Sequence, residues 1–306
     1  MTPRIAPGGA RALPLLLLGA VAIAFAPIFV RLSPVAPVAT AFYRLLLALP
    51  VLWLWTALDQ RSAVRRVVSP PRVPRSRREW LWIVLAGLCF AGDLAVWHWA
   101  IHYTSVANAT LFANLAPVFV AGGAWLVFKE RISAVFLLGL LCAVAGAAIL
   151  IGISVGEGPQ PVLGDALGVL TAVFYAGYLM AIKQARTLFS TAVTMLWSGI
   201  ICCAVLAVIA LLTEDQLLAG DLRGWAVLAG LALISHAGGQ TLIAYALAHL
   251  PASFASVALL VQPVTAALLA WWLLDESLSG RQGAGALLAL TGIYLAWRAS
   301  AIKKIA

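Results

Sequence analysis

Ala116-Pro117-Val118…Trp125…Glu130-Arg131-Ile132-Ser133 returns 146 residues later as Gln262-Pro263-Val264…Trp271…Glu276-Ser277-Leu278-Ser279. One offset aligns Pro117 with Pro263, Trp125 with Trp271, Glu130 with Glu276 and Ser133 with Ser279. The same offset carries Gly139 to Gly285, Gly146 to Gly292 and Gly92 to Gly238. Near the N-terminus, Ala22-Ile23-Ala24-Phe25-Ala26 resembles Ala172-Val173-Phe174-Tyr175-Ala176 at an offset of 150. The chain is therefore written twice, and its fold turns on what one copy contains.

Each copy contains five apolar runs. Together they are read at 13–31, 35–57, 79–101, 106–128, 134–153, 162–183, 190–212, 223–248, 252–274 and 282–299. Their lengths suit a hydrocarbon core of about 30 Å crossed at about 1.5 Å per residue. The expected fold is an all-α membrane protein with ten transmembrane helices, divided into a first repeat over 1–153 and a second over 154–306. Because five is odd, the second repeat enters the membrane from the opposite side. Inverted-topology repeats of this kind recur in secondary transporters, with the substrate site near the midplane between the halves. A central cavity is expected there.

Composition agrees: 63% of residues are hydrophobic and only 10% charged, against about 25% charged in soluble domains. The net charge of +9 reads as topology and not as a nucleic-acid surface. Sixteen Lys and Arg residues, seven of them between Arg61 and Arg78, fall on one side of a ten-span layout. Only Arg31, Arg223 and Arg281 fall on the other, and Arg44 lies inside a span. Positive loops stay in the cytoplasm, so both termini are expected there, in a bacterial-type inner membrane. The run Leu13–Val30 has the outline of a cleaved leader but is long enough to span and has a repeat partner, so it is read as the first helix. Cys89, Cys142, Cys202 and Cys203 all lie in apolar runs without metal-ligand spacing and are read as small fillers. No metal and no cofactor are expected. No P-loop and no metalloprotease or hydrolase motif appears, which speaks against ATP-driven transport within this chain and against an enzyme.

Pro117 and Pro263 fall mid-span, where each removes a helix hydrogen bond, and the freed carbonyls can line a cavity. They are expected to kink or gate, together with Glu130 and Glu276 at the span ends. Gly139, Gly146, Gly283, Gly285 and Gly292 are spaced for close helix contact.

The two proline–glutamate segments, each followed by a Gly-rich helix, resemble the EamA family of the drug/metabolite transporter superfamily over about residues 13–299. Trp97-His98-Trp99-Ala100 is similar to that family's aromatic–aromatic–Ala pattern, with His98 where an aromatic is usual. The resemblance implies ten helices, a cavity lined chiefly by the third, fourth, eighth and ninth, and export of small metabolites, with YddG-type amino-acid exporters as the branch it points to.

Charged groups inside spans cost about 2.5–3.5 kcal/mol each on insertion scales and need a reason. Arg44, Asp93, His98 and His236 qualify. Asp93 and Trp97 share one face of the third helix, and His236 and Gln240 one face of the eighth. The expected substrate-binding set is Asp93, Trp97, His98, Asn108, Asn114, His236, Gln240, Tyr245 and Gln262, with Trp99 as a further candidate wall. Arg44 is read either as a partner of Asp93 or as a snorkelling side chain. Trp53, Trp55, Trp80, Trp82 and Trp225 are read as an interfacial belt. The expected function is export of amino acids or similar metabolites by alternating access, from a monomer or weak dimer in the bilayer. Neutral amino acids moving with weak or absent proton dependence are the specific expectation. The alternative is efflux of hydrophobic cationic drugs, for which Asp93 beside Trp97 is the acidic group available.

Overall fold

The computed structural model describes residues 9–65, 73–152, 159–274 and 279–302. Nine helices among them are long and apolar enough to cross a membrane: α1 (Arg11–Leu32), α2 (Pro37–Arg61), α3 (Arg77–Tyr103), α4 (Asn108–Val127), α5 (Ala134–Ile151), α6 (Pro161–Ala185), α7 (Thr191–Thr213), α8 (Leu222–Leu247) and α9 (Ala252–Leu273). A further helix, α10 (Gly280–Ile302), holds the tenth expected run. It carries the polar residues Arg281, Gln282, Arg298 and Ser300. The protein is an all-α, multi-pass membrane protein.

Side chains that start these helices are the ones local chemistry predicts. Ser76 and Glu79 form a reciprocal capping box on α3. Ser133 accepts from the Phe136 N–H on α5, Ser190 from Val193 on α7, and Asp221 from Gly224 on α8. Each satisfies a backbone donor that a helix start leaves unpaired.

Packing follows the repeat. Numbering the second five helices as copies of the first five, α3 packs on α6 as α8 packs on α1, and α4 packs on α6 as α9 packs on α1. The equivalent helices pair with each other: α2 with α7, α4 with α9, α5 with α10. The last pair shows the symmetry at residue level. A Cβ on Gly139 would sit 2.7 Å from the Gly292 carbonyl oxygen, and one on Gly285 would sit 2.9 Å from that of Gly146. Adding the 146-residue offset to one contact and subtracting it from the other exchanges the two, which is the signature of a two-fold axis between antiparallel copies. Gly139, Gly146, Gly285 and Gly292 thus pack as their spacing predicts; Gly283 faces open space instead.

The exterior is apolar, with Leu18, Leu81, Leu141, Leu211, Trp272 and Leu287 all exposed, as a lipid-facing surface requires. The five tryptophans read as a belt are all at least partly exposed. Trp53 and Trp55 face outward, but Trp80 packs edge-on to Trp197 at 5.2 Å and Trp225 on Tyr43 at 5.0 Å. Trp82 packs against the core. The four cysteines are free.

Candidate functional site

Among the described residues four helices break, each just ahead of a proline. The interruptions fall at Phe25 before Pro27, Leu47–Ala48 before Pro50, Asn114–Leu115 before Pro117 and Leu259–Leu260 before Pro263. Proline cannot donate to the preceding turn and its ring clashes with it, so the helix restarts with proline in its first turn. In α8 the irregularity is a ten-residue π-helix, Leu231–Gln240, a rare wide turn concentrated at functional sites. Irregular backbone at membrane depth needs protein or a cavity beside it, and here there is one.

The cavity measures about 250 Å³. Its lining comes from α1, α2, α3, α4, α6, α8 and α9, hence from both repeats. Its polar lining includes Thr40, Arg44, Asp93, His98, Thr110, Asn114, Thr171, Tyr175, Gln240 and Gln262. Consecutive spans alternate in direction, so the junctions 128–133, 186–190 and 248–251 lie on the face where α1 starts, here the terminal face. The junctions 33–36 and 214–221 lie on the opposite face. Lining positions occupy the opposite-face parts of α1, α2, α3, α4 and α9, so the cavity is displaced toward that side.

An aromatic layer and a latch stand between the cavity and the terminal face. Phe90 stacks on Tyr178 at 4.5 Å and on His236 at 5.6 Å, joining α3, α6 and α8. Beyond it, α4 ends with Lys129 in the left-handed region (φ 55°), a conformation that terminates helices at a local cost. The turn brings Glu130 to the start of α9. The Ala252 N–H donates to Glu130 Oε1 at 2.8 Å. The Ser253 N–H and hydroxyl donate to Oε2 at 3.2 and 2.5 Å. Lys183 Nζ lies 3.7 Å from the same carboxylate and donates to the Leu250 carbonyl at 2.7 Å. One carboxylate therefore ties α4, α6 and α9 together at a helix N-terminus, where negative charge is favoured. On the opposite face Glu214, at the end of α7, caps the start of α2, accepting from the Val38 and Ala39 N–H groups at 2.7 Å each.

Of the expected binding residues, Asp93, Trp97, His98, Asn114, Gln240 and Gln262 line the cavity, as does Pro263. His98 donates from Nδ1 to the Leu94 carbonyl at 2.5 Å, and its Nε2 has no partner among the described residues. Three expected residues are placed elsewhere. Asn108 donates to Thr104 and Asp165, pinning the start of α4 to α6. His236 is only 1% exposed and packs behind Phe90. Tyr245 packs on His249 at 4.7 Å near the terminal face. Trp99 points outward, because neighbouring helix positions are about 100° apart and Trp97 takes the inward face. Pro117 sits behind the α4 break without lining the cavity, and Glu276 lies outside the described residues. Sequence reasoning left Thr40, Thr171, Tyr175 and Pro27 unassigned. Pro27 carried a signal, the same break-before-proline pattern as Pro117, whereas the others sit on long apolar faces that single nothing out.

Arg44 is the unexpected member. It is 8% exposed, too buried to snorkel, and its guanidinium carbon lies 5.7 Å from the Phe90 ring centre. It makes no ion pair among the described residues, and its Nε has no hydrogen-bond partner.

A solved crystal structure superimposes with a TM-score of 0.78 over 95% of this chain and 98% of that one, at 18% identity, which shows a shared fold. An uncharacterized transporter of Archaeoglobus fulgidus is 26% identical over 65% of this chain and 70% of that protein. The pseudopaline exporter CntI of Pseudomonas aeruginosa is 27% identical over 57% of this chain and 60% of its own length. The EamA-like transporter family profile matches twice, over residues 10–152 and 162–298. With its two sequence copies, its helical membrane bundle and a cavity between the copies, this chain is a membrane transporter and belongs to the EamA-like transporter family.

Proposed function

We propose that this chain is a bacterial-type inner-membrane carrier that exports small metabolites, amino acids foremost, by alternating access. The observation that carries the reading is the cavity bounded by both repeats and latched at one face by Glu130. Two antiparallel copies can exchange conformations, so a site latched on one face in one state is latched on the other in its mirror state. The exporter from Pseudomonas aeruginosa supports the outward direction. A volume of about 250 Å³ lies below the roughly 300–1,000 Å³ of drug-sized pockets and favours a small solute. The lining supplies amide, hydroxyl and imidazole dipoles with an apolar wall of Phe90, Leu94, Trp97 and Leu231, which suits an amino acid with a neutral side chain.

Asp93 beside Phe90 and Trp97 favours a second reading, efflux of hydrophobic cations. Arg44 in the same cavity opposes it, since a lone cationic substrate would face a buried like charge. Uptake by proteoliposomes separates the two. Labelled methionine and threonine should enter and exchange, with little change when a pH gradient is imposed or reversed. Entry of cationic dyes without any amino acid would establish the drug reading, and transport that collapses without the gradient would replace facilitated exchange with proton coupling.

A further inference from the structure

Arg44 and Asp93 are the two charged side chains in the cavity lining, one from α2 and one from α3. The Arg44 guanidinium stands over Phe90, and Phe90 and Asp93 are three residues apart on α3, one turn along the same face. Opposite charges so placed in a water-poor site would be expected to close into a salt bridge. Among the described residues neither makes an ion pair, and Arg44 Nε is buried without a partner. An arginine more than nine-tenths buried, facing a cavity and attracted by Asp93 without an ion-pair contact among the described residues, keeps part of a desolvation penalty that a ligand can relieve. Guanidinium geometry matches a carboxylate with two parallel N–H donors. A carboxylate such as Asp93 accepts from an ammonium.

Resting on the amino-acid reading of the cavity, we propose that Arg44 and Asp93 form a two-ended clamp for a zwitterion, Arg44 taking the α-carboxylate and Asp93 the α-ammonium. The solute then lies between them with its side chain toward Trp97, Leu94 and Leu231. Gln240 and Gln262, whose amide nitrogens are buried in the lining beside Tyr175 and Tyr178, can add donors to the carboxylate end. The clamp explains why the cavity holds one charge of each sign. A zwitterion leaves neither charge unpaired, whereas an amine strands Arg44 and an acid strands Asp93.

Three labelled probes test this on the purified full-length protein in liposomes: methionine, methioninamide, which lacks the carboxylate, and N-acetylmethionine, which lacks the ammonium. Wild type should prefer methionine over both. Arg44→Gln should lower the methionine-to-methioninamide preference at least tenfold, and Asp93→Asn should lower the methionine-to-N-acetylmethionine preference at least tenfold. Arg44→Lys, which keeps the charge, should retain the preference for the zwitterion. If Arg44→Gln does not yield a monodisperse protein, Asp93→Asn and Arg44→Lys decide the matter. Methionine transport by wild type with unaltered preferences in the variants, or equal losses for all three probes, would overturn the clamp alone. Wild type that moves none of the three would overturn the amino-acid reading and the clamp with it.

Discussion

Glu130 shows how one side chain can hold a conformational state. Its carboxylate satisfies two backbone donors and a hydroxyl at the start of α9 while facing Lys183. Hydrogen bonds to a charged acceptor contribute about 1.5–3 kcal/mol each. Glu130→Gln keeps the shape but loses the charge and one acceptor oxygen, so it should shift the population toward a state open at the terminal face by roughly tenfold, the equivalent of about 1.4 kcal/mol. Ser256, 1% exposed behind the latch, reports it. In Ser256→Cys protein, a thiol reagent applied from the terminal face should react about tenfold faster when Glu130→Gln is also present; equal rates would assign Glu130 a purely static cap. The sequence flagged Glu130 through its repeat partner Glu276, but not what it holds, since Ala252 and Ser253 are 122 and 123 residues away. Arg44 was legible as a buried charge, and only the arrangement of α2 against α3 shows it beside Asp93 without an ion-pair contact among the described residues.

At the scale of helices, the interruptions of α1, α2, α4 and α9 follow from proline chemistry and were readable wherever a proline sits mid-run. The π-helix in α8 was not. His236, Gly238, Gly239 and Gln240 look like ordinary helix, and the wide turn packs closely on α1, where a Cβ on Gly19 would lie 2.7 Å from the Gly239 carbonyl oxygen. The α5–α10 interface gives a sharper test of element packing. Without side chains at Gly139 and Gly292 the backbones approach until dispersion is shared along both helices. Gly139→Ala places a methyl 2.7 Å from the Ala296 nitrogen and should destabilise by about 1–3 kcal/mol, as overpacking does. Gly283→Ala, in open space, should stay within about 0.5 kcal/mol of wild type. Thermal unfolding in detergent, followed by the loss of monodisperse protein, would rank them. An equal effect of the two substitutions would detach the glycine spacing from the interface.

Across the whole molecule, the charge bias and the antiparallel copies make a joint statement about orientation. If the terminal face is the cytoplasmic one, as the charge bias predicts, the cavity is displaced toward the outside, and labelling tests that orientation. In a background lacking the four native cysteines, Gln160→Cys should be modified by an impermeant reagent added outside intact cells, and Thr187→Cys only after the membrane is permeabilised. The reverse pattern would invert the direction of transport along with the topology.

What the sequence by itself determined is the class of object: apolar runs of spanning length, a doubled pattern with an odd number of runs per copy, and prolines and glycines at matching positions. These are local or periodic properties, and local chemistry enforces them whatever the neighbours do. The tertiary structure alone decided which polar residues share a cavity. A helix face is defined to within about 100° by periodicity, but whether that face meets a cavity, another helix or lipid depends on the rotation of each packed helix. Asn108 and His236 therefore went to packing while Tyr175 and Arg44 went to the cavity, where two charges from helices α2 and α3 stand close without meeting.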